Sequence, residues 1–193
     1  MAKTNTKPIQ RFKPSPENPV KPYTLILGDM PGKVSRDNGF YYMDNRNKFW
    51  EILDIVFETN NSFANWKRDY LAASKSDSSN RQNIKAKIEV KLSEYNIVIY
   101  DIIEEIILDN STSSSNALNL KAGGAELKKL CENAQKICIN GKENKLGSPL
   151  WLFRKLYKST PKILAKYEAL PNSSGRNGAK VDEKAEAWKV IKL

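Results

Sequence analysis

The 193-residue chain contains no histidine, and this absence excludes several classes of enzyme. Ser-His-Asp and Cys-His nucleophile systems need an imidazole base, and zinc deaminases need a histidine together with a cysteine pair. Cys131 and Cys138 lie seven residues apart, a spacing that fits no common metal motif, and two thiols cannot hold a four-cysteine iron–sulfur cluster. We therefore expect no metal and no cofactor, and we expect both thiols to be buried and reduced.

Long apolar runs are also missing from the chain. No stretch reaches the roughly 20 apolar residues of a membrane span, and the polar N-terminus lacks the apolar core of a signal peptide. The length suits one domain with a single core. We therefore expect a cytoplasmic, nucleoid-associated protein with no membrane partner, and a monomer, because no feature demands a second subunit.

Positive charge is in excess. The 32 Lys and Arg residues outnumber the 22 Asp and Glu residues and give a formal net charge of +10. This excess favours a polyanionic partner, because cationic side chains on a phosphate backbone release condensed counterions. A basic protein without such a partner remains the alternative. Residues 1–22 are rich in Lys and Pro, which predicts a flexible, extended arm, either a disordered tail or a DNA-contacting arm, before one domain over 23–193.

Apolar runs alternate with helical patterns from Tyr23 onward. Buried strands are predicted at Leu25–Leu27, Ile97–Tyr100, Lys136–Ile139 and, more weakly, near Ile163–Leu170. Helical spacing predicts a helix after Asn47, two helices between 62 and 95, and further helices over 124–133, over 149–157 and from 181 onward. The polar run 110–116 is typical of a surface loop. This alternation predicts an α/β fold, a three-layer α/β/α sandwich around a mostly parallel four-stranded sheet.

Residues 25–50 are the most informative stretch, since a buried strand is followed by a glycine-proline turn and an aromatic loop. The turn contains Gly28, Pro31 and Gly32, and its backbone N–H groups can face a ligand. The loop then offers flat or polar side chains at Tyr41, Tyr42, Asp44, Asn45 and Asn47. Together they predict a pocket for a planar, polar molecule such as a nucleobase.

Polar residues also follow the next two predicted strands, at Asp101 and at Asn140. In open α/β sheets, ligands bind outside the carboxyl ends of the strands. Asp101 therefore either belongs to a ligand site or caps a helix that follows it.

These residues carry a resemblance to a known family. GDMPG followed by YYMDNRNKFW is similar to the first motif region of the uracil-DNA glycosylase superfamily, in particular its mismatch-specific and hypoxanthine-type branches. IVIYD at 97–101 and LPNSSGRNG at 170–178 agree with it in order and spacing, and the second resembles the DNA-inserting loop of the mismatch-specific branch. The resemblance spans residues 23 to 191 and implies a monofunctional DNA glycosylase. Such an enzyme flips a deaminated or modified base out of DNA and hydrolyses its N-glycosidic bond, leaving an abasic site.

The resemblance also implies catalytic roles. Asn47 aligns with the asparagine before the Lys/Arg-Phe-Trp element of the hypoxanthine-type branch, so we expect it to position the attacking water. Its alternative role is to cap the helix that follows, and the two roles are compatible. Asp29 and Asp44 are reserve candidates for activating the water. The chain departs from its relatives at Met30, where mismatch-specific enzymes have Asn, and at Asn45, where proline is usual.

Base binding is expected from the turn and from the strand ends. The expected residues are Gly28, Met30, Pro31, Gly32, Tyr42, Asp101 and Asn140, with backbone amides around Asp29, Met30 and Gly32 as donors to a base oxygen. Tyr42 is either the stacking platform or a core tyrosine. An ionised Asp101 only accepts hydrogen bonds, so we expect it to prefer base edges with N–H groups, as in hypoxanthine, adenine-like or cytosine-derived bases, over O4 of uracil or thymine.

The resemblance assigns DNA contacts to the segment after the fourth strand. Arg176 occupies the position of the side chain that fills the gap left by the flipped base. The other expected DNA-binding residues are Asn172, Ser173, Ser174, Gly175 and Lys180. The partner would be double-stranded or single-stranded DNA, and without the resemblance this segment is a turn-rich basic loop.

Other functions remain open. The same chemistry would also serve to remove a hypermodified base from bacteriophage DNA as a defence. A non-catalytic DNA-binding protein on this fold is the second alternative, and it predicts DNA affinity that survives Asn47→Ala. A small-molecule nucleotide-binding domain is the least supported, because no phosphate-binding glycine fingerprint follows the first strand.

Overall fold

The computed structural model describes residues 8–108, 117–175 and 178–193, and its centre is a sheet of four parallel strands. These strands are β2 (Thr24–Gly28), β3 (Ile97–Asp101), β6 (Lys136–Asn140) and β7 (Tyr167–Leu170), in the spatial order β3-β2-β6-β7. The helices are α1 (Lys33–Asn38), α2 (Phe49–Phe57), α3 (Ser62–Ala72), α4 (Ser78–Glu94), α5 (Ala125–Asn133), α6 (Pro149–Tyr157), α7 (Pro161–Leu164) and α8 (Val181–Trp188), which continues into a 3₁₀ turn at Lys189–Ile191. Of the helices in these described ranges, none is long and apolar enough to cross a membrane.

Successive residues of β2 point to opposite faces of the sheet and join two separate cores. Leu25 and Leu27 pack with apolar residues of α5, α6 and α7, whereas Ile26 packs with residues of α2, α3, α4 and α8. Because helices cover both faces, β2 and β3 are buried along their whole length and read as apolar runs, whereas the edge strand β7 is only partly buried. The predicted three-layer α/β/α sandwich with a parallel sheet is therefore confirmed. Both cysteines are free and buried, as expected.

The strand register brings three predicted site residues to one edge. Gly28 pairs with Asp101 across β2 and β3, and Leu27 pairs with Ile139 across β2 and β6. Asn140 follows Ile139 and therefore ends its strand beside Gly28. Because the strands are parallel, all three residues lie at the carboxyl edge of the sheet.

The fourth strand is shorter than predicted. The prediction near Ile163–Leu170 is wrong for its first half, because Pro161–Leu164 form helix α7 and the strand begins at Tyr167. Proline suits the first turn of a helix, since its fixed φ is helical and its missing N–H has no partner there anyway. A short run of apolar residues predicts a strand when hydrophobicity alone is considered, so the apolar residues of this helix were assigned to the strand.

A second, antiparallel sheet was not predicted. It contains β1 (Ile9–Gln10), β4 (Ile103–Leu108) and β5 (Ala117–Ala122), in the order β1-β4-β5. The loop predicted at 110–116 lies outside the described residues. Strand β4 follows β3 after one residue, so the chain passes directly from the parallel sheet into the antiparallel one.

The described part of the N-terminal segment, residues 8–22, runs along the domain, in place of the flexible arm that we expected. Ile9 pairs with Ile106 on β4. Ser15 is buried, and its backbone exchanges two hydrogen bonds with Ile99 on β3, with N···O distances of 3.0 and 2.8 Å. Because β3 is an edge strand of the parallel sheet, this pairing covers part of an otherwise open edge.

Candidate active site

A cavity of about 430 Å³ opens at the carboxyl edge of the parallel sheet. Small-ligand sites typically enclose about 300–1,000 Å³. Most of the predicted site residues line it, namely Gly28, Asp29, Met30, Pro31, Gly32, Tyr42, Asp44, Asn47, Asp101, Asn140, Asn172 and Ser174. Segments that are far apart in the chain therefore meet around one space.

Gly28 allows the side chain of Asp101 to lie directly over strand β2. A Cβ atom at position 28 would stand 2.5 Å from Oδ1 of Asp101 and 3.0 Å from the hydroxyl oxygen of Tyr42. Both distances are shorter than ordinary carbon–oxygen contacts. A residue without a side chain is therefore needed at position 28.

Backbone hydrogen bonds fix the turn after β2. The N–H groups of Ile102 and Ile103 donate to the carbonyl oxygens of Gly28 and Asp29, at 3.0 and 2.9 Å. The N–H of Met30 donates to Oδ1 of Asp29 at 2.7 Å. The Met30 N–H is therefore already hydrogen-bonded within the turn. In this conformation it does not point to a base oxygen as a free donor, which is the role that we expected for it.

Asp101 is 3% exposed, and its Oδ2 atom has no hydrogen-bond partner among the described residues. Burial raises the pKa of this carboxyl well above its usual range, the negative charge of Asp29 raises it further, and the Arg11 guanidinium opposes both. Relative to an exposed carboxyl, burial therefore stabilises the protonated form of Asp101. A protonated carboxyl donates hydrogen bonds as well as accepting them, whereas our expectation assumed an ionised group that only accepts. That expectation did not include desolvation.

The ring of Tyr42 lines the cavity and stacks on Phe49, with ring centroids 3.9 Å apart and planes 11° apart. Its backbone has a φ of 55°, a left-handed conformation that is uncommon for a bulky residue. Burial raises the pKa of Tyr42. The phenol therefore keeps its proton. Phe49 fixes the ring from one side, an arrangement suited to a stacking platform.

Asn140 uses its amide within the protein. Its Oδ1 accepts from the N–H of Ser173 at 2.8 Å, and its Nδ2 donates to the Ser173 hydroxyl at 2.9 Å and to the Tyr42 hydroxyl at 3.2 Å. Asn140 therefore positions Tyr42 and the loop after β7, whereas we expected it to bind the base. Ser173 is 0% exposed, so the expected contact of its side chain with DNA phosphates is not possible in this conformation.

Asn47 lines the cavity, and its Oδ1 accepts from the N–H of Phe49, the first residue of helix α2, at 2.9 Å. The N-cap position itself is occupied by Lys48. An amide oxygen has two lone pairs, so this bond leaves Asn47 the capacity to bind a water molecule. Asp44 forms an ion pair with Arg46 at 2.8 Å, and this hydrogen bond lowers the pKa of Asp44. Because Asp44 is held by Arg46 and its pKa is lowered, it is a weak base for activating water.

The loop after β7, Pro171–Gly175, is joined to the Asn47 loop by backbone contacts. Asn47 and Ser174 form an antiparallel bridge, Lys48 N–H donates to the Ser173 carbonyl at 2.9 Å, and Gly175 N–H donates to the Arg46 carbonyl at 3.0 Å. A Cβ atom on Gly175 would stand 2.5 Å from that carbonyl oxygen. The first part of the predicted DNA loop and the predicted water-positioning residue are therefore one structural unit.

Two of the expected DNA-binding residues lie elsewhere. Arg176 is outside the described residues. Lys180 is exposed at the start of α8 and does not line the cavity.

Several residues of the cavity were not predicted. These are Lys33, Val34, Ser35, Arg36, Arg46 and Ile106, whereas Tyr41, which also lines the cavity, belongs to the predicted aromatic loop. Helix α1 supplies the first four, and the glycine-proline turn before it was the available signal. Ile106 comes from the antiparallel sheet, and no local pattern connects it with a ligand site.

Comparison with known proteins supports the fold. No family model and no curated protein sequence matches the chain. A solution NMR structure of a Methanosarcina acetivorans protein, provisionally named a uracil DNA glycosylase, is similar with a TM-score of 0.62 and 19% sequence identity, over 96% of this chain and 99% of that one. The chain therefore has a uracil-DNA-glycosylase-like α/β/α fold over nearly its whole length.

Proposed function

We propose that this protein is a monofunctional DNA glycosylase that flips a base out of DNA and hydrolyses its N-glycosidic bond. The proposal rests on the cavity at the sheet edge, where the turn 28–32, the segment 42–47, Asp101 and the loop after β7 meet. An enzyme that acts on a base must extrude it from the duplex and enclose it in a pocket. The net charge of +10 and the similar fold of the Methanosarcina protein support a DNA substrate.

The flipped base stacks on Tyr42, a contact worth about 1–3 kcal/mol per base in comparable proteins. Protonated Asp101 donates to a base carbonyl and accepts from an adjacent N–H. This donor–acceptor pair matches a lactam edge, as in hypoxanthine, xanthine, uracil or thymine. With its proton on the other oxygen, the same carboxyl pairs with the amino-imino edges of adenine and cytosine, so Asp101 alone does not select between the two kinds of edge. The name of the structurally similar Methanosarcina protein, a uracil DNA glycosylase, favours lactam bases as the proposed substrate class.

Hydrolysis requires a water molecule and a leaving base. Asn47 holds the water through the free lone pair of its Oδ1 atom or through its amide hydrogens. The water oxygen bonds to the anomeric carbon while the N-glycosidic bond breaks, and the electron pair of that bond leaves with the base. Asp29 also lines the cavity, and in this proposal it accepts the proton that the water releases. Its negative charge also favours the oxocarbenium character of the transition state.

In this proposal the DNA backbone lies along the loop after β7, whose residues Asn172 and Ser174 line the cavity. Arg176 is proposed to fill the gap in the stack and to contact the widowed base. Arg46 is 70% exposed in its side chain and borders the same cavity, so it adds positive charge for phosphates.

The test is an alkali-cleavage assay on labelled DNA containing uracil, hypoxanthine, xanthine, thymine mismatches or hydroxymethylated or glucosylated cytosine, each single- and double-stranded. Asn47→Ala is compared with Asn45→Ala, because Asn45 is exposed, lies two residues away and does not line the cavity. We expect cleavage of a lactam base that Asn47→Ala reduces at least 100-fold and Asn45→Ala preserves. Salt-sensitive DNA binding without cleavage of any substrate would instead favour a non-catalytic DNA-binding protein.

A further inference from the structure

Two buried lysines hold the two residues of the bridge between the Asn47 loop and the loop after β7. Lys184 on α8 is 1% exposed, and its Nζ donates to the carbonyl of Ser174 at 2.7 Å. Lys67 on α3 is 5% exposed, and its Nζ donates to the carbonyl of Asn47 at 2.8 Å. Each strand of the bridge is therefore anchored from the protein interior by one amine.

The two lysines differ in their surroundings. Lys67 lies 4.0 Å from a carboxylate oxygen of Glu51. No ion pair within 4.0 Å involves Lys184 in the described part of the chain, although lysine is rarely buried without a charged partner. Burial lowers the pKa of Lys184. A costly buried amine whose observed contact is one loop carbonyl indicates a role in holding that loop.

Trp188 reinforces this contact from the next turn of α8. Its Nε1 donates to the carbonyl of Pro171 at 2.9 Å. Its ring packs edge-to-face against the ring of Phe49, with the ring centroids 5.6 Å apart. Residues four apart lie on the same face of a helix, so Lys184 and Trp188 hold the loop at both ends. Phe49 lies two residues after Asn47, which brings α8 into contact with both halves of the junction.

We propose that Lys184 is a positioning residue that couples the binding of the DNA backbone on the loop to the placement of Asn47. This inference rests on the proposed function. DNA contacts at Asn172 and Ser174 stabilise the loop in the position that Lys184 and Trp188 hold. Because Ser174 is bridged to Asn47, the same contacts also fix the position of Asn47. Without the amine, Ser174 loses its interior anchor and the bridge becomes mobile.

Lys184→Met tests the coupling, because methionine keeps much of the volume and removes the donor. Lys189→Met is the matched control, an exposed lysine at the end of the same helix. We expect the single-turnover rate of abasic-site formation to fall about 10- to 100-fold in Lys184→Met and to stay unchanged in the control. If Lys184 acts through Asn47, the double variant with Asn47→Ala is no slower than Asn47→Ala alone. If the double variant were slower than Asn47→Ala by the full factor that Lys184→Met causes alone, the two residues would act independently and the proposal would be overturned.

A second measurement does not depend on activity. Hydrogen exchange of the Lys48 and Gly175 amides reports the junction, since both donate across it. In Lys184→Met we expect both amides to exchange about tenfold faster, and we expect DNA to slow them in the wild type only. Unchanged exchange would overturn the coupling even in an active enzyme. Faster exchange in a protein that cuts no substrate would retain the coupling and overturn the proposed glycosylase activity.

The variant is informative only when it is folded. Circular dichroism and thermal unfolding establish this for Lys184→Met before rates are compared. Where it does not fold, Trp188→Phe removes the donor to Pro171 and keeps an aromatic ring. In Trp188→Phe we expect the single-turnover rate to fall and the exchange of the Lys48 and Gly175 amides to become faster, each by about threefold to tenfold. A rate and an amide exchange equal to those of the wild type would overturn the proposal.

Discussion

Gly28→Ala tests the close packing of Asp101 over the first strand of the parallel sheet. The new methyl group would lie 2.5 Å from Oδ1 of Asp101, whereas ordinary contacts begin near 3.4 Å, so the carboxyl must move by roughly 0.9 Å. Overpacking of a well-filled core costs about 1–3 kcal/mol. The backbone of Gly28 does not require a left-handed conformation, so the whole effect arises from lack of space.

A double-mutant cycle isolates this contact. In an Asp101→Ala background the nearest neighbour of the new methyl group is the Tyr42 hydroxyl oxygen at 3.0 Å, so we expect Gly28→Ala to cost less than about 1 kcal/mol there. Urea unfolding of the four proteins gives the coupling energy, expected at about 1–2 kcal/mol. An equal cost of Gly28→Ala in both backgrounds would refute the packing of Asp101 against Gly28, whatever the activity of the protein.

Three further predictions concern titration, the loop junction and the N-terminal segment. The folded state holds the Asp101 proton more tightly than the unfolded chain does, because the pKa of Asp101 is raised on folding. The free energy of unfolding should therefore fall as the pH rises from the ordinary aspartate range through the raised pKa. Asp101→Asn should remove this fall, as measured by urea unfolding at a series of pH values. Gly175→Ala should slow base excision about 100-fold in single-turnover assays, because its methyl group would stand 2.5 Å from the Arg46 carbonyl that Gly175 contacts, and a rate equal to wild type would contradict this. Arg11→Met removes a hydrogen bond of 3.1 Å to the Asp101 carbonyl and should cost about 1.5–3 kcal/mol in thermal unfolding, whereas the exposed Lys13→Met should cost almost nothing.

The parallel sheet was predictable because its strands are buried on both faces. Leu25–Leu27 and Ile97–Tyr100 form continuous apolar runs, and polar residues follow them directly. Such runs identify strands and their carboxyl ends together. The position of the cavity therefore followed from the fold class and the register.

The antiparallel sheet was not predictable in the same way. Gln10 pairs with Glu105, 95 residues further along the chain, and Ile9–Gln10 is too short to show a period. Pairing over such a distance depends on the finished structure of the domain. Ile106, which this sheet contributes to the cavity, was missed for that reason.

Protonation and anchoring in the site also depend on tertiary burial. The residue type of Asp101 suggests an ionised group, and only its burial, with the charge of Asp29 nearby, raises its pKa. The sequence carries a weak signal for the burial of Lys184, since Lys184 lies four residues before Trp188 and therefore on the same face of α8. A lysine at such a position is either an error in the pattern or a buried amine with a partner.

The order of the parallel strands has a consequence for synthesis on the ribosome. Strand β2 is the second strand made and the first of the parallel sheet, yet it lies between β3 and β6. Its first partner residue, Ile97, is translated 73 residues after Thr24, which at about 5–20 residues per second takes roughly 4–15 s. During that time an apolar strand is exposed on the nascent chain. The yield of soluble protein should therefore rise with chaperone supply and at lower growth temperature, and more strongly than the size of the domain alone would suggest.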